Sequence, residues 1–245
     1  RPGSVALSAA IMKRYPVEVV PHIVCGGATR HSIENDLIDL NFLDIENVMA
    51  LRGDPVSGQR YFTPEEDGHK YSCELVEQIA RMNQGKYLDD TLTDAVPTNF
   101  CIGVAGYPEK HYEAPNPVSD IENLKRKVDA GADYIVTQMF FDNDNYFSFV
   151  EKCRAIGISV PIIPGLKPIS SFKHLENLPR SFNLDIPEEL ERAIRRCRSN
   201  KEVYRVGIEW CIAQSLELIR QGAPAVHYYT MGKSDNIQEI VKRVF

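Results

Sequence analysis

"DIENLKRKVDAGADYIVTQMFF", residues 120–141, holds the two periods on which the fold turns. Asp120–Gly131 is helix-like and closes on a glycine in C-cap position. Asp133–Phe141 is apolar almost throughout, the pattern of a short strand buried on both faces. A helix running through a glycine into such a strand is the repeating joint of an α/β protein. Gln138 brings an amide to the C-terminal end of that strand.

The same alternation extends in both directions. Upstream lie a helix over 4–15, a strand "VEVVPHIV" (17–24) and a helix over 31–43 with Ile33, Leu37, Leu40 and Leu43 on one face. Then come the strand "NVMALR" (47–52), an amphipathic helix over 71–82 and the strand "FCIGVAGY" (100–107). Downstream are a helix over 144–157 closed by Gly157, the strand "PIIPGL" (161–166) and helices around 187–198 and 201–221. A strand "AVHYYT" (225–230) and a terminal helix over 235–245 complete the chain. No Gly/Ser/Pro-rich linker interrupts the alternation, so residues 1–245 are expected to form one domain.

Strands apolar throughout, alternating with helices, mean a parallel sheet covered by helices. The choice is between a doubly wound sheet and a (β/α)8 barrel. No G-x-G-x-x-G follows a strand, which counts against a Rossmann dinucleotide site. Polar residues sit instead at the C-terminal ends of nearly every strand: His22, Arg52 and Asp54, Tyr107, Gln138, Lys167 and Tyr229. A barrel collects those ends on one face. The expectation is an α/β TIM-type (β/α)8 barrel, although only six strands are found.

Composition narrows the class. The chain has 245 residues, 43% of them hydrophobic, and a formal net charge of −6. That balance argues against a nucleic-acid surface, which needs a clustered basic stripe. The densest basic stretch, 191–205, mixes acids and apolar residues at helical spacing and reads as a solvated helix face. The six cysteines show no C-x-x-C pair and most lie in apolar runs, as small hydrophobes do. No apolar run approaches the ~18 residues of a membrane span, and no signal peptide opens the chain. A cytoplasmic protein without a membrane or nucleic-acid partner is expected.

Three places carry candidate chemistry. Arg52-Gly53-Asp54-Pro55 ends a buried strand, and is either a tight turn with a surface ion pair or a carboxylate and a cation presented to a ligand. Asp120, Asn123 and Lys127 share one helical face beside Arg126, which is either a solvated face or a donor and acceptor set for a ligand. Gln138 can donate and accept together, either to neighbouring backbone or to a substrate edge of alternating donors and acceptors.

"PHIVCGG" (21–27), "ALRGDP" (50–55), "AGYPEKH" (105–111), "LKRKVDAGADYIVTQMFFD" (124–142) and "IIPGLKPIS" (162–170), in this order and spacing, resemble methylenetetrahydrofolate reductase. The resemblance runs from about residue 17 to the end of the chain. It implies a flavin-bearing (β/α)8 barrel of folate one-carbon metabolism. Such an enzyme uses a reduced nicotinamide dinucleotide and FAD to convert 5,10-methylenetetrahydrofolate into 5-methyltetrahydrofolate. It also implies that the first two barrel strands are absent from this chain.

The resemblance assigns roles residue by residue. Asp54 matches an aspartate that tunes the flavin and stabilises a cationic iminium form of the folate. His22, Arg52, Gly53, Tyr107 and His111 match flavin neighbours. Asp120, Asn123, Arg126 and Lys127 match a helix that contacts FAD, and Ala132 a position tied to flavin retention. Tyr71 and Ser72 align with a Tyr-Ala pair on the adenosine side. Gln138 matches a folate-binding glutamine. His174 stands where a glutamine is expected, and Leu178 where a phenylalanine stacks on nicotinamide or folate. Tyr229, Met231 and Lys233 match a tyrosine, a leucine and an arginine near folate.

The family's general acid, a glutamate in an "FEFFPP"-like motif on its first strand, has no counterpart here. A natural protein with about 60 or more further N-terminal residues is therefore expected, two βα units' worth. The implied activity is a two-step reduction, with NADH favoured over NADPH, in a homo-oligomer. The alternative is a flavin-binding barrel without catalysis. No metal is expected.

Overall fold

The structure is a computed structural model that describes residues 2–56, 58–59 and 61–245. Among them are six strands: β1 (His22–Val24), β2 (Asn47–Leu51), β3 (Cys101–Gly106), β4 (Tyr134–Met139), β5 (Ile162–Leu166) and β6 (His227–Tyr228). The helices are α1 (Ser4–Arg14), α2 (Arg30–Phe42), α3 (Ser72–Met82), α4 (Pro117–Asp129), α5 (Asn143–Ala155), α6 (His174–Phe182), α7 (Glu188–Arg195), α8 (Asn200–Arg220) and α9 (Asp235–Val244). The six strands form one sheet in the order β1-β2-β3-β4-β5-β6. A doubly wound sheet reverses its order at a switch point, whereas barrel strands follow one another in sequence. The sequential order is therefore that of a (β/α) barrel, represented by six strands.

Contacts divide the chain into two compact units, Arg1–Ala105 with Arg126–Tyr134, and Gly106–Lys125 with Ile135–Phe245. In the first, β1, β2 and β3 pair in parallel, with His22 opposite Met49 and Val48 opposite Ile102. α1 packs on α2, and α3 on β2. The core is Ile33, Leu37 and Leu40 of α2, Leu75, Val76, Ile79 and Met82 of α3, and the buried faces of the strands. Thr29 starts α2, its hydroxyl accepting from the Ser32 N–H at 3.2 Å.

Two expectations change here. The strand expected over 17–24 begins only at His22, and Val17 and Val20 are 51% and 45% exposed. The register puts Val20 opposite Asn47, the first residue of β2, so the residues before it run past any partner. Leu43 leaves the apolar face of its helix. α2 stops at Phe42, and Leu43 is the C-cap at φ −92°, 38% exposed, with Ile45 buried in its stead.

In the second unit, β4 and β5 and then β5 and β6 pair in parallel, with a register shift between Val136 and Met139. α8 is the central helix, packed against α5, α7, α9 and β5. Met139, Phe141, Ile169, Leu178, Leu184, Leu190, Ile194 and Val203 form one buried cluster. Ser199 caps α8 through the Glu202 N–H, and Glu202 returns its carboxylate to the Arg198 N–H at 2.8 Å. Within the basic stretch, Arg192 and Arg195 pair with Glu188 and Glu191 one turn earlier, on a solvated face. As expected, α4 and α5 give way to Gly131 and Gly157, both at positive φ.

The cysteines are free, and no helix among the described residues is long and apolar enough to cross a membrane. Among the same residues no group of His, Cys, Asp and Glu could hold a metal ion.

Candidate functional site

The expected site residues of the first unit lie along and just after β1 and β2, at the start of α3 and in the last turn of α4. β1 and β2 stay in register past their last residues: the Cys25 N–H donates to Leu51 O and the Gly26 N–H to Arg52 O, both at 3.0 Å. The chain after β2 then turns at Gly53, whose φ is +89°. A Cβ added there would lie 2.5 Å from Val24 Cγ1, so glycine is needed for both backbone and space. The Arg52 guanidinium lies 5.2 Å from the centroid of the Phe62 ring. Asp54 is exposed, and among the described residues its carboxylate has no hydrogen bond or ion pair. The turn is thus shaped by Gly53, not by an Arg–Asp bridge. His22 opens β1 and does not stand at its C-terminal end as expected, because the strand starts late; it is exposed, yet protein around the ring desolvates it and lowers its pKa.

Tyr71 is the exposed N-cap of α3 and Ser72 its first residue. The Glu74 carboxylate reaches back to the N–H groups of Lys70 (2.7 Å) and Tyr71 (3.1 Å) and fixes this start. On α4, Lys127 donates from Nζ to Ala105 O at the end of β3, 2.7 Å away, while Arg126 is exposed. Ala132 is buried, and Asp133 clamps β3 by accepting from the Ile102 N–H at 2.8 Å. A small residue at that joint lets helix and strand approach.

In the second unit the segment after β3 is held at many points. The rings of Tyr107 and His111 meet edge to face at 4.7 Å, and Asp120 accepts from the His111 backbone N–H at 2.9 Å. Asn123, one turn along α4, is exposed. Lys110 adopts φ +118° and donates from Nζ to His111 O and Ala114 O. Glu109 was not singled out by sequence, where "YPE" reads as a turn. Its Oε1 accepts from Asn145 Nδ2 at 2.9 Å and from the Asp185 N–H at 3.2 Å, tying three segments together. Burial is the main cause that pushes its pKa up to about 7.

Gln138 lies inside the register shift of β4, and its Oε1 accepts from the Met139 N–H at 2.9 Å. Its carbonyl is thus used locally. Tyr229 donates from its hydroxyl to Thr137 O at 2.8 Å, and burial pushes its pKa up to about 12. Met231 and Lys233 lie exposed in the turn after β6. His174 opens α6, a helix not anticipated from sequence, and its Nδ1 accepts from the Ser170 N–H at 3.3 Å. Leu178, expected against a flat ring, is 5% exposed and packs into the apolar cluster with Leu184, Leu190 and Ile194. Placing it on α6 turns its side chain to packing.

The family model described as "Methylenetetrahydrofolate reductase" matches residues 1–244. The chain is 36% identical over 225 residues to "Methylenetetrahydrofolate reductase (NADH) 1" of Arabidopsis thaliana, covering 88% of this chain and 36% of the plant protein. It is 33% identical over 228 residues to "5,10-methylenetetrahydrofolate reductase" of Salmonella typhimurium, covering 92% of this chain and 69% of the bacterial protein. It therefore spans about a third of the eukaryotic relative's length. Among solved structures, an uncharacterized protein from Clostridium thermocellum that binds two copies of 5-methyl-5,6,7,8-tetrahydrofolic acid superposes with a TM-score of 0.56 at 17% identity. That match covers 97% of this chain and 75% of that one, and it shows a likeness of fold.

Proposed function

This chain belongs to the methylenetetrahydrofolate reductase family, and we propose that it reduces 5,10-methylenetetrahydrofolate to 5-methyltetrahydrofolate with FAD and a nicotinamide dinucleotide, NADH in the first instance. The observation that carries this reading beyond family membership is Asp54: a carboxylate free of protein partners among the described residues, presented by the turn that Gly53 makes after β2. A carboxylate of this kind just beyond the C-terminal end of a parallel strand supports a role toward a ligand.

The residues present fit a flavin dinucleotide in their chemistry. Arg52, Arg126 and Lys127 supply cations for a pyrophosphate, and Asp120 and Asn123 supply partners for ribityl hydroxyls. Arg126 and Asn123 are exposed on α4, where a ligand can reach them. Bound FAD supplies the relay that carries a hydride from nicotinamide to folate. The chain's own residues hold and orient. Asp120 fixes the segment of Tyr107 and His111 through the His111 N–H. Lys127 donates to Ala105 O, which holds its ammonium at the end of β3. Gln138 spends its carbonyl on Met139 and keeps its amide N–H groups to donate to the pterin edge. Asp54 stabilises the positive charge that develops on the folate when its methylene bridge opens to an iminium. Such fixed charge, aimed where charge develops, is the largest kind of catalytic term.

The test is direct. The purified protein should be yellow, and with NADH and 5,10-methylenetetrahydrofolate under anaerobic conditions it should form 5-methyltetrahydrofolate. Flavin bound without product would favour the non-catalytic alternative. Neither flavin nor product would remove both readings.

A further inference from the structure

The register of β4 against β5 breaks at one place. Val136 faces Ile163 and Met139 faces Gly165, so Thr137 and Gln138 together stand opposite the single residue Pro164. Two residues against one make a β-bulge, which is uncommon between parallel strands. Proline supplies its cause, because Pro164 has no N–H to give the ladder.

Thr137 holds the bulge through two bonds. It is fully buried, and its Oγ1 accepts from the Gly165 N–H at 2.9 Å. Its carbonyl accepts from the Tyr229 hydroxyl at 2.8 Å. Tyr229 follows β6, and β5 lies between β6 and β4, so this second bond crosses a whole strand. Gly165 makes room for the crossing: a Cβ there would lie 2.3 Å from Thr137 O and 2.7 Å from Tyr229 Cε2.

Bulges beside active sites re-aim side chains. The side chain at this one belongs to Gln138, which is half-buried and whose Oε1 accepts from the Met139 N–H at 2.9 Å. The backbone is thus pinned just before Gln138 and its amide oxygen just after. We propose that Thr137 is a positioning residue, whose hydroxyl and carbonyl fix the bulge that aims the Gln138 amide at the pterin edge. The inference rests on the reductase reading, in which Gln138 meets the folate, and adds the residue through which that contact is held.

Calorimetric titration of the FAD-loaded protein with 5-methyltetrahydrofolate tests it. Thr137→Val keeps the shape and removes the acceptor, and should weaken folate binding about tenfold. Thr137→Ser, which restores a hydroxyl, should come within about twofold of wild type. FAD affinity, read by fluorescence titration, should stay unchanged in both, which a general loss of packing would not allow. In a Gln138→Ala background Thr137→Val should weaken folate binding little further, because its effect passes through that amide. Should Thr137→Val fail to fold, Thr137→Cys takes its place, with a smaller loss in the same direction, since sulfur is a weak acceptor. Wild-type folate affinity in the variant that folds, an equal loss of FAD affinity, or a full tenfold loss on top of Gln138→Ala overturns the proposal. Failure of the reductase reading would appear separately, as a wild-type protein that binds no folate, and would remove this inference with it.

Discussion

The Asp120 carboxylate accepts a hydrogen bond from the backbone N–H of His111 at 2.9 Å, which ties the start of α4 to the segment after β3. Nothing in the spacing of 120–127 announces this contact. It makes Asp120 a positioning residue for Tyr107 and His111, beside the flavin contact proposed for it. Asp120→Ala should weaken FAD binding about tenfold, the order of one charge-assisted hydrogen bond. Asp120→Asn, whose amide oxygen still accepts, should recover part of the loss. Fluorescence titration of apoprotein with FAD measures both; equal dissociation constants in all three proteins would return the helix face to solvent.

Glu109 predicts a pH dependence of stability. Its pKa is raised from 4.5 to about 7, so the folded state holds its proton where the unfolded chain has released it. The stabilisation is complete below about pH 4.5 and is lost as pH rises towards 7. Glu109→Gln keeps an oxygen for Asn145 and the Asp185 N–H but cannot ionise. Thermal melts from pH 4.5 to 8 should show the variant gaining on wild type through that window and level above it. Parallel curves would mean that Glu109 titrates normally.

Gly53 predicts a backbone effect. Gly53→Ala must hold a side chain at φ +89° against Val24, and should cost about 1–3 kcal/mol in chemical denaturation. A loss below about 0.5 kcal/mol would show that the turn adjusts freely.

How far the sequence reveals this molecule depends on what each signal rests on. The strands after β1, and every helix but α6, follow from periodicity, because Val48, Ile102 and Ile135 are buried as their apolar runs require. The early part of "VEVVPHIV" fails because β propensity needs a partner strand, and β2 starts too late to provide one. The α6 helix is hidden by Pro179 inside it, which reads as a breaker. With α6 unseen, the packing of Leu178 into the apolar cluster goes unseen too. Asp54, Asp120 and Lys127 stand out through the family resemblance, whereas Glu109 gains meaning only from burial and from partners brought together across long stretches of chain. Spacing along one element cannot show those.

The central claim is that Asp54 works on the folate half of the reaction. Stopped-flow measurement of the two half-reactions, flavin reduction by NADH and flavin reoxidation by 5,10-methylenetetrahydrofolate, tests it in wild type and Asp54→Asn. Charges a few Å apart at an effective dielectric near 20 interact by roughly 2–4 kcal/mol. The variant should therefore keep its flavin, take hydride from NADH at close to the wild-type rate, and pass it to folate about thirtyfold more slowly or worse. Equal slowing of both half-reactions, or none of either, would contradict the account.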